Sequence, residues 1–270
     1  MKHFIRQFAL VAAALALLVG TTACDKEPVD ERPDLPPMES ILMDFSDFEQ
    51  QPAGTKSTAA TYEHFLSAYL SVAYWNVVAT AATAVPVAAY GYLLQQDAVY
   101  LGDHTWEWSV DFTVNLLQYT ATLTGARLNN ETFSMEMKIA LAATPQLAVK
   151  WFDGEVRYDH THAEWFLYED GTTQALKIVW NKDFEAGDAD LTYTYVKPDQ
   201  DETGSFISWA YVSGADLDAS YTIDLSEGDT FIEWSTADKN GRIQSIPYFD
   251  DADWRCWDTA ANGLADIDCP

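Results

Sequence analysis

Between Glu63 and Asp97 the chain carries no Asp, Glu, Lys or Arg, although it holds 42 acidic and 15 basic side chains in all. Few folds accommodate so long an uncharged run, and its internal spacing narrows the choice. Phe65-Leu66, Tyr69-Leu70, Ala73, Val77-Val78, Ala81-Ala82 and Val85 recur every three or four residues, which predicts a helix. The weakly polar residues do not gather on one side. Ser67 and Ser71 fall on one flank, and Asn76, Thr80 and Thr83 on the other. A helix that is apolar nearly all round is expected to be buried. Pro86 should end or kink it near Ala84–Val85, with a second short helix over Pro86–Gln95. Up to that break, Thr61 to Ala84 would span ~36 Å. The alternative is a membrane span, for which ~20 apolar residues suffice. Against it, the run is rich in Ala and Thr, and Lys56 is the only basic residue near its ends.

After Asp97 the period changes to two. Trp106, Trp108, Val110 and Phe112 alternate with Glu107, Ser109 and Asp111. Phe133, Met135, Met137, Ile139 and Leu141 repeat the pattern, as do Leu191, Tyr193 and Tyr195, and Tyr221, Ile223 and Leu225. Such alternation belongs to antiparallel strands with one covered face. Turn signals separate the runs: Asn129-Asn130, Asp153-Gly154, Asp170-Gly171, Gly187-Asp188, Ser213-Gly214, Glu227-Gly228 and Asn240-Gly241. Asp153-Gly154 and Asn240-Gly241 suit type I′ hairpins. The reading is α+β: a curved antiparallel sheet of about ten strands, an open barrel or sandwich-like, packed on the apolar N-terminal helix. A two-sheet sandwich or propeller-like closure is the alternative. The folded part is expected to be one domain over 56–270.

Met1 to Ala23 has the form of an export leader, with Lys2 and Arg6, an apolar run from Phe8 to Val19, and small residues before Cys24. Thr21-Thr22-Ala23-Cys24 resembles the lipobox of bacterial lipoproteins, with Thr21 where Leu is usual. The resemblance implies acylation of Cys24 as the first mature residue, and a protein held to the cell envelope, at the outer membrane. Asp25-Lys26-Glu27 looks like the charged sorting signal of some surface-exposed lipoproteins. Residues 24–55 hold five prolines and read as a tether. Within it Ile41, Met43 and Phe45 alternate with Leu42, Asp44 and Ser46, as a first strand would. With Cys24 acylated, Cys256 and Cys269 are left to pair in an oxidising compartment. That bridge would close a loop of about 14 residues, worth ~3 kcal/mol. The expected architecture is similar to that of lipoprotein-carrier half-barrels, which implies an apolar ligand such as lipid between helix and sheet.

The formal charge is −27. Without residues 1–23 the chain keeps 13 basic against 42 acidic side chains, a net −29. Such a field excludes nucleic acid as a partner and repels anionic lipid. His160, His162 and Glu164 would share one face of a strand, and two imidazoles with a carboxylate can ligate zinc or another divalent metal. The same alternation is equally that of a wet strand face. Asp250, Asp251 and Asp253 crowd the Cys256 loop and offer hard oxygen ligands for calcium, or a solvated acidic terminus. Trp254 and Trp257 stand in polar surroundings and are candidates for aromatic binding, the alternative being packing. No nucleophile elbow, P-loop, dinucleotide glycine motif or HExxH is present. Three functions remain: a carrier of an apolar ligand, a structural or interaction subunit of the envelope, and a divalent-metal binder or enzyme using the His160/His162 strand.

Overall fold

Each strand hydrogen-bonds the strands before and after it in the chain. In the computed structural model the order is β1 (Val99–Gly102), β2 (Thr105–Val114), β3 (Leu117–Arg127), β4 (Thr132–Leu141), β5 (Val149–Arg157), β6 (His162–Tyr168) and β7 (Gln174–Asp183). It continues with β8 (Asp188–Tyr195), β9 (Phe206–Tyr211), β10 (Ala219–Leu225), β11 (Gly228–Trp234), β12 (Gly241–Ser245), β13 (Arg255–Ala260) and β14 (Gly263–Ile267). All pairings are antiparallel, and the sheet stays open because β14 does not return to β1. The structure describes residues 32–48, 61–114, 116–225, 228–260 and 263–270. All but Arg32 belong to one unit, Pro33–Pro270. The leader and Cys24 lie outside the described residues.

Short local signals set this meander. The β7–β8 turn is typical. Asp183 accepts hydrogen bonds from the Glu185 and Ala186 amides at 2.8 and 3.0 Å, and these hold its carboxyl below the usual range. Gly187 then closes the turn at φ +81, a conformation that glycine adopts without strain.

Fourteen strands are found among the described residues where about ten were expected. The excess comes from short strands without clean alternation, β1, β13 and β14 among them. Asp153-Gly154 is not a hairpin turn; it lies inside β5, where Gly154 pairs with Met135 and Trp165. A Cβ on Gly154 would stand 2.1 Å from the Glu164 carbonyl oxygen, so the glycine serves a close strand approach.

The helix α1 (Glu63–Leu93) runs unbroken through Pro86, so the expected second helix is its continuation. Phe65, Ala68, Val72, Trp75, Ala79, Thr83, Pro86, Tyr90 and Leu93 form one buried stripe. Pro86 forfeits one helical hydrogen bond, but the stripe on which it sits packs on past it. The helix lies against β2 and β3 toward one end of the sheet and against β12, β13 and β14 toward the other. It is not buried all round: Leu70, Tyr74, Val77 and Tyr92 are 46, 49, 70 and 51 % exposed. No helix among the described residues is long and apolar enough to cross a membrane.

The expected tether also changes. Pro33 to Phe48 belongs to the folded unit, with Ile41, Met43, Phe45 and Phe48 buried. Ile41 to Phe45 alternates as a strand would, but it pairs with no strand and runs between two 3₁₀ turns, Met38–Ser40 and Ser46–Phe48.

Candidate functional site

The place where a half-barrel would hold a ligand is the apolar face of the sheet, and here the chain's own residues 36–48 occupy it. Successive strands hand hydrogen bonds to this segment. Trp165 Nε1 on β6 donates to the Ser40 carbonyl at 3.0 Å. On β8, Tyr193 Oη donates to the Ile41 carbonyl and accepts from the Met43 amide, both at 2.7 Å. On β10, Tyr221 Oη donates to the Asp44 carbonyl at 2.7 Å, and on β11 Trp234 Nε1 donates to Asp47 Oδ2 at 2.8 Å. Lys239 closes the row with an ion pair to Asp47. From the helix, Tyr90 Oη donates to the Pro36 carbonyl at 2.7 Å.

These donors are fixed as donors. Burial pushes the Tyr90, Tyr193 and Tyr221 hydroxyls above the ordinary tyrosine range, so they stay protonated at neutral pH. Between the polar rungs, the segment's apolar side chains stack. Phe48 packs on Phe65 at 5.5 Å, edge-on to Trp234 at 5.0 Å, and near Tyr221 at 5.9 Å. The result is one hydrophobic core made of segment, helix and sheet together.

A second construction holds the start of α1. Its N-cap residue, Tyr62, gives no side-chain cap. Asp266 of β14 supplies it from a distance: its carboxylate accepts from the Glu63 and His64 amides at 2.9 and 3.0 Å. His64 Nδ1 donates to the Cys256 carbonyl at 2.7 Å, and the Asp266 amide donates to the Thr61 carbonyl at 2.8 Å. Cys256 and Cys269 form a disulfide across this terminal hairpin, with Cα atoms 5.1 Å apart.

The residues singled out in sequence are distributed as follows. His160 lies in the β5–β6 turn at φ +53, not on the strand, and its Nε2 donates to the Asp34 carbonyl at 3.2 Å. His162 opens β6 and donates from Nδ1 to Asn181 Oδ1 at 2.7 Å. Glu164 pairs with Lys177 at 2.8 Å. His162 and Glu164 line a shallow groove on the outer face between β3 and β6, and His160 is not among its walls. Asp251 pairs with Arg255 at 2.7 Å, and Asp250 ends a short helical turn at φ +58. Among the described residues, no three His, Cys, Asp or Glu side chains gather as a metal would require. Trp254 is half-buried under Arg242, whose guanidinium sits 4.4 Å from the ring centre. Trp257 is not an exposed binder. It is 1 % exposed, packs edge-on to Phe65 at 5.6 Å, and donates to the Lys239 carbonyl at 2.9 Å.

An apolar cleft of about 460 Å³ opens at the rim of the sheet, walled by Val114, Tyr119, Ile139, Leu147, Val149 and Trp151. A smaller one, about 250 Å³, lies between Tyr74, Trp75 and Val78 of the helix and Tyr195, Glu202 and Ser205.

No protein family, curated protein or solved structure matches the chain.

Proposed function

We propose that this is a lipid-anchored protein of the bacterial cell envelope whose folded domain acts through its outer surface, as an interaction or structural subunit. The observation that supports this is the occupied apolar face. The backbone of residues 40–44 takes hydrogen bonds from Trp165, Tyr193 and Tyr221, groups a carrier would leave to its ligand or to water. The anchor rests on the lipobox-like Thr21-Thr22-Ala23-Cys24. The disulfide agrees with an oxidising compartment outside the cytoplasm. The rim cleft favours a lesser reading, in which one apolar side chain of a partner docks there.

Mass spectrometry tests both parts of the proposal. The full chain, expressed in a Gram-negative host, should mature at Cys24 with acyl groups, and Cys24→Ala should abolish them. Native spectra of the detergent-released protein should show no further lipid. A stoichiometric bound lipid beyond the acyl groups would return the carrier reading.

A further inference from the structure

Among the described residues, nothing covers the outward side of α1. Leu70, Tyr74, Val77 and Tyr92 lie 46–70 % exposed along it, and no charged side chain interrupts residues 64–96. The edge strand that follows continues the same chemistry, with Val99 and Tyr100 at 63 and 52 % exposure. Exposed apolar surface of this extent on a strongly acidic protein marks an interaction site.

We propose that this helix face lies on the lipid surface to which the protein is anchored, inserted into the head-group region of a neutral membrane. The inference rests on the acylation of Cys24 proposed above. Two observations select lipid over other occupants. The first is reach. The folded unit begins at Pro33, and only eight residues lie between it and Cys24, a span that cannot exceed about 30 Å even when fully extended. Three residues further on, the Pro36 carbonyl is already tied to Tyr90 of α1 at 2.7 Å. A membrane that holds Cys24 is therefore never further from Pro33 than this short segment can reach. The second is charge. Two acylated copies, each with a net −29 once residues 1–23 are removed (13 basic against 42 acidic), repel one another, which disfavours a second chain as cover. An uncharged face also approaches lipid without an electrostatic penalty. The tyrosines fit the location, since their rings are at home at the head-group boundary. A helix lying in that plane buries its apolar side without crossing.

The test uses the full acylated chain on phosphatidylcholine vesicles, with a polarity-sensitive fluorophore on Val77→Cys. A control label goes on Val212→Cys, a site 50 % exposed in the β9–β10 connection. The label at 77 should shift to the blue and lose quenching by aqueous iodide, while the label at 212 should do neither. Adding phosphatidylglycerol should shrink the shift at low salt. A label at 77 that stays as quenched as the one at 212, on protein that floats with the vesicles, overturns the proposal and leaves the anchor standing. Protection without lipid that grows with protein concentration assigns the face to a second copy. Protection that needs native envelope proteins assigns it to a protein partner; either result overturns the lipid assignment. A wild-type chain that carries no acyl mass and floats no better than Cys24→Ala removes the anchor, and this inference with it.

Discussion

A phenol at position 193 does two jobs with one oxygen. Tyr193 Oη donates to Ile41 and accepts from Met43, in a site where its ring is fully buried. Tyr193→Phe keeps the ring and strips both partners, leaving a buried carbonyl and a buried amide unpaired. The expected cost is about 2–4 kcal/mol, read as a lower urea midpoint at unchanged slope. The same burial sets a pH limit. Tyr90, Tyr193 and Tyr221 have folded pKa values above the ordinary 10.0, with burial as the main cause. A raised folded value means that the folded state holds its proton longer than the unfolded one. The associated stability is therefore complete below about pH 10 and is lost as pH rises through the folded values. In an alkaline titration, three of the 14 tyrosines should ionise only together with loss of the circular dichroism of the fold. Early, independent ionisation of all of them would mean that the hydroxyls are not sheltered.

At the scale of elements, the helix and the terminal hairpin depend on each other. Asp266 caps α1 across 203 residues of sequence, and the Cys256–Cys269 bridge encloses the strand that carries it. Asp266→Ala should cost about 1 kcal/mol, the usual worth of a cap, and should speed hydrogen exchange at the Glu63 and His64 amides. Reducing the bridge should cost ~3 kcal/mol and speed the same two amides. If reduction leaves them unchanged, the bridge does not hold the cap in place. Local sequence tells little of this. Tyr62 offers no capping side chain, and nothing near Glu63 points to Asp266. The strands are different, because alternation is itself a local signal. Phe133 to Leu141 reads directly as β4, whereas Asn240-Gly241 is not the expected two-residue turn: residues 235–240 make the β11–β12 connection and Gly241 opens β12, paired with Trp234. Pro86 misleads because propensity is weighed without the buried stripe that outweighs it. The His160/His162 pair misleads for a boundary reason: the strand begins at His162, and the turn before it carries His160 off the shared face.

For the whole molecule, the sequence shows a shell and a rod but hides what completes the core. Ile41, Met43 and Phe45 alternate plainly, yet alternation alone cannot distinguish a paired strand from a segment laid across a sheet face. The long-range donors that decide the matter, Trp165, Tyr193 and Tyr221, are spread over more than fifty residues of chain. The size of the effect can be bounded. Ile41, Met43, Phe45 and Phe48 are each 2–6 % exposed, and burying such a side chain is worth about 1.5–3 kcal/mol. Four of them amount to roughly 6–12 kcal/mol, as much as the entire net stability of an ordinary domain. Deleting residues 33–48 should therefore abolish cooperative unfolding while leaving enough strand propensity for a loose, dye-binding state. A synthetic peptide of residues 33–48, added in trans, should restore the near-ultraviolet circular dichroism of the buried tryptophans. The same peptide with Ile41→Asp and Met43→Asp should not, because it would carry charge into an apolar slot. If the deleted chain unfolds as cooperatively as the intact one with no peptide present, the segment is dispensable. The apolar face of the sheet would then be a vacancy the protein tolerates, and an exchangeable apolar ligand would become the better account of why it is there.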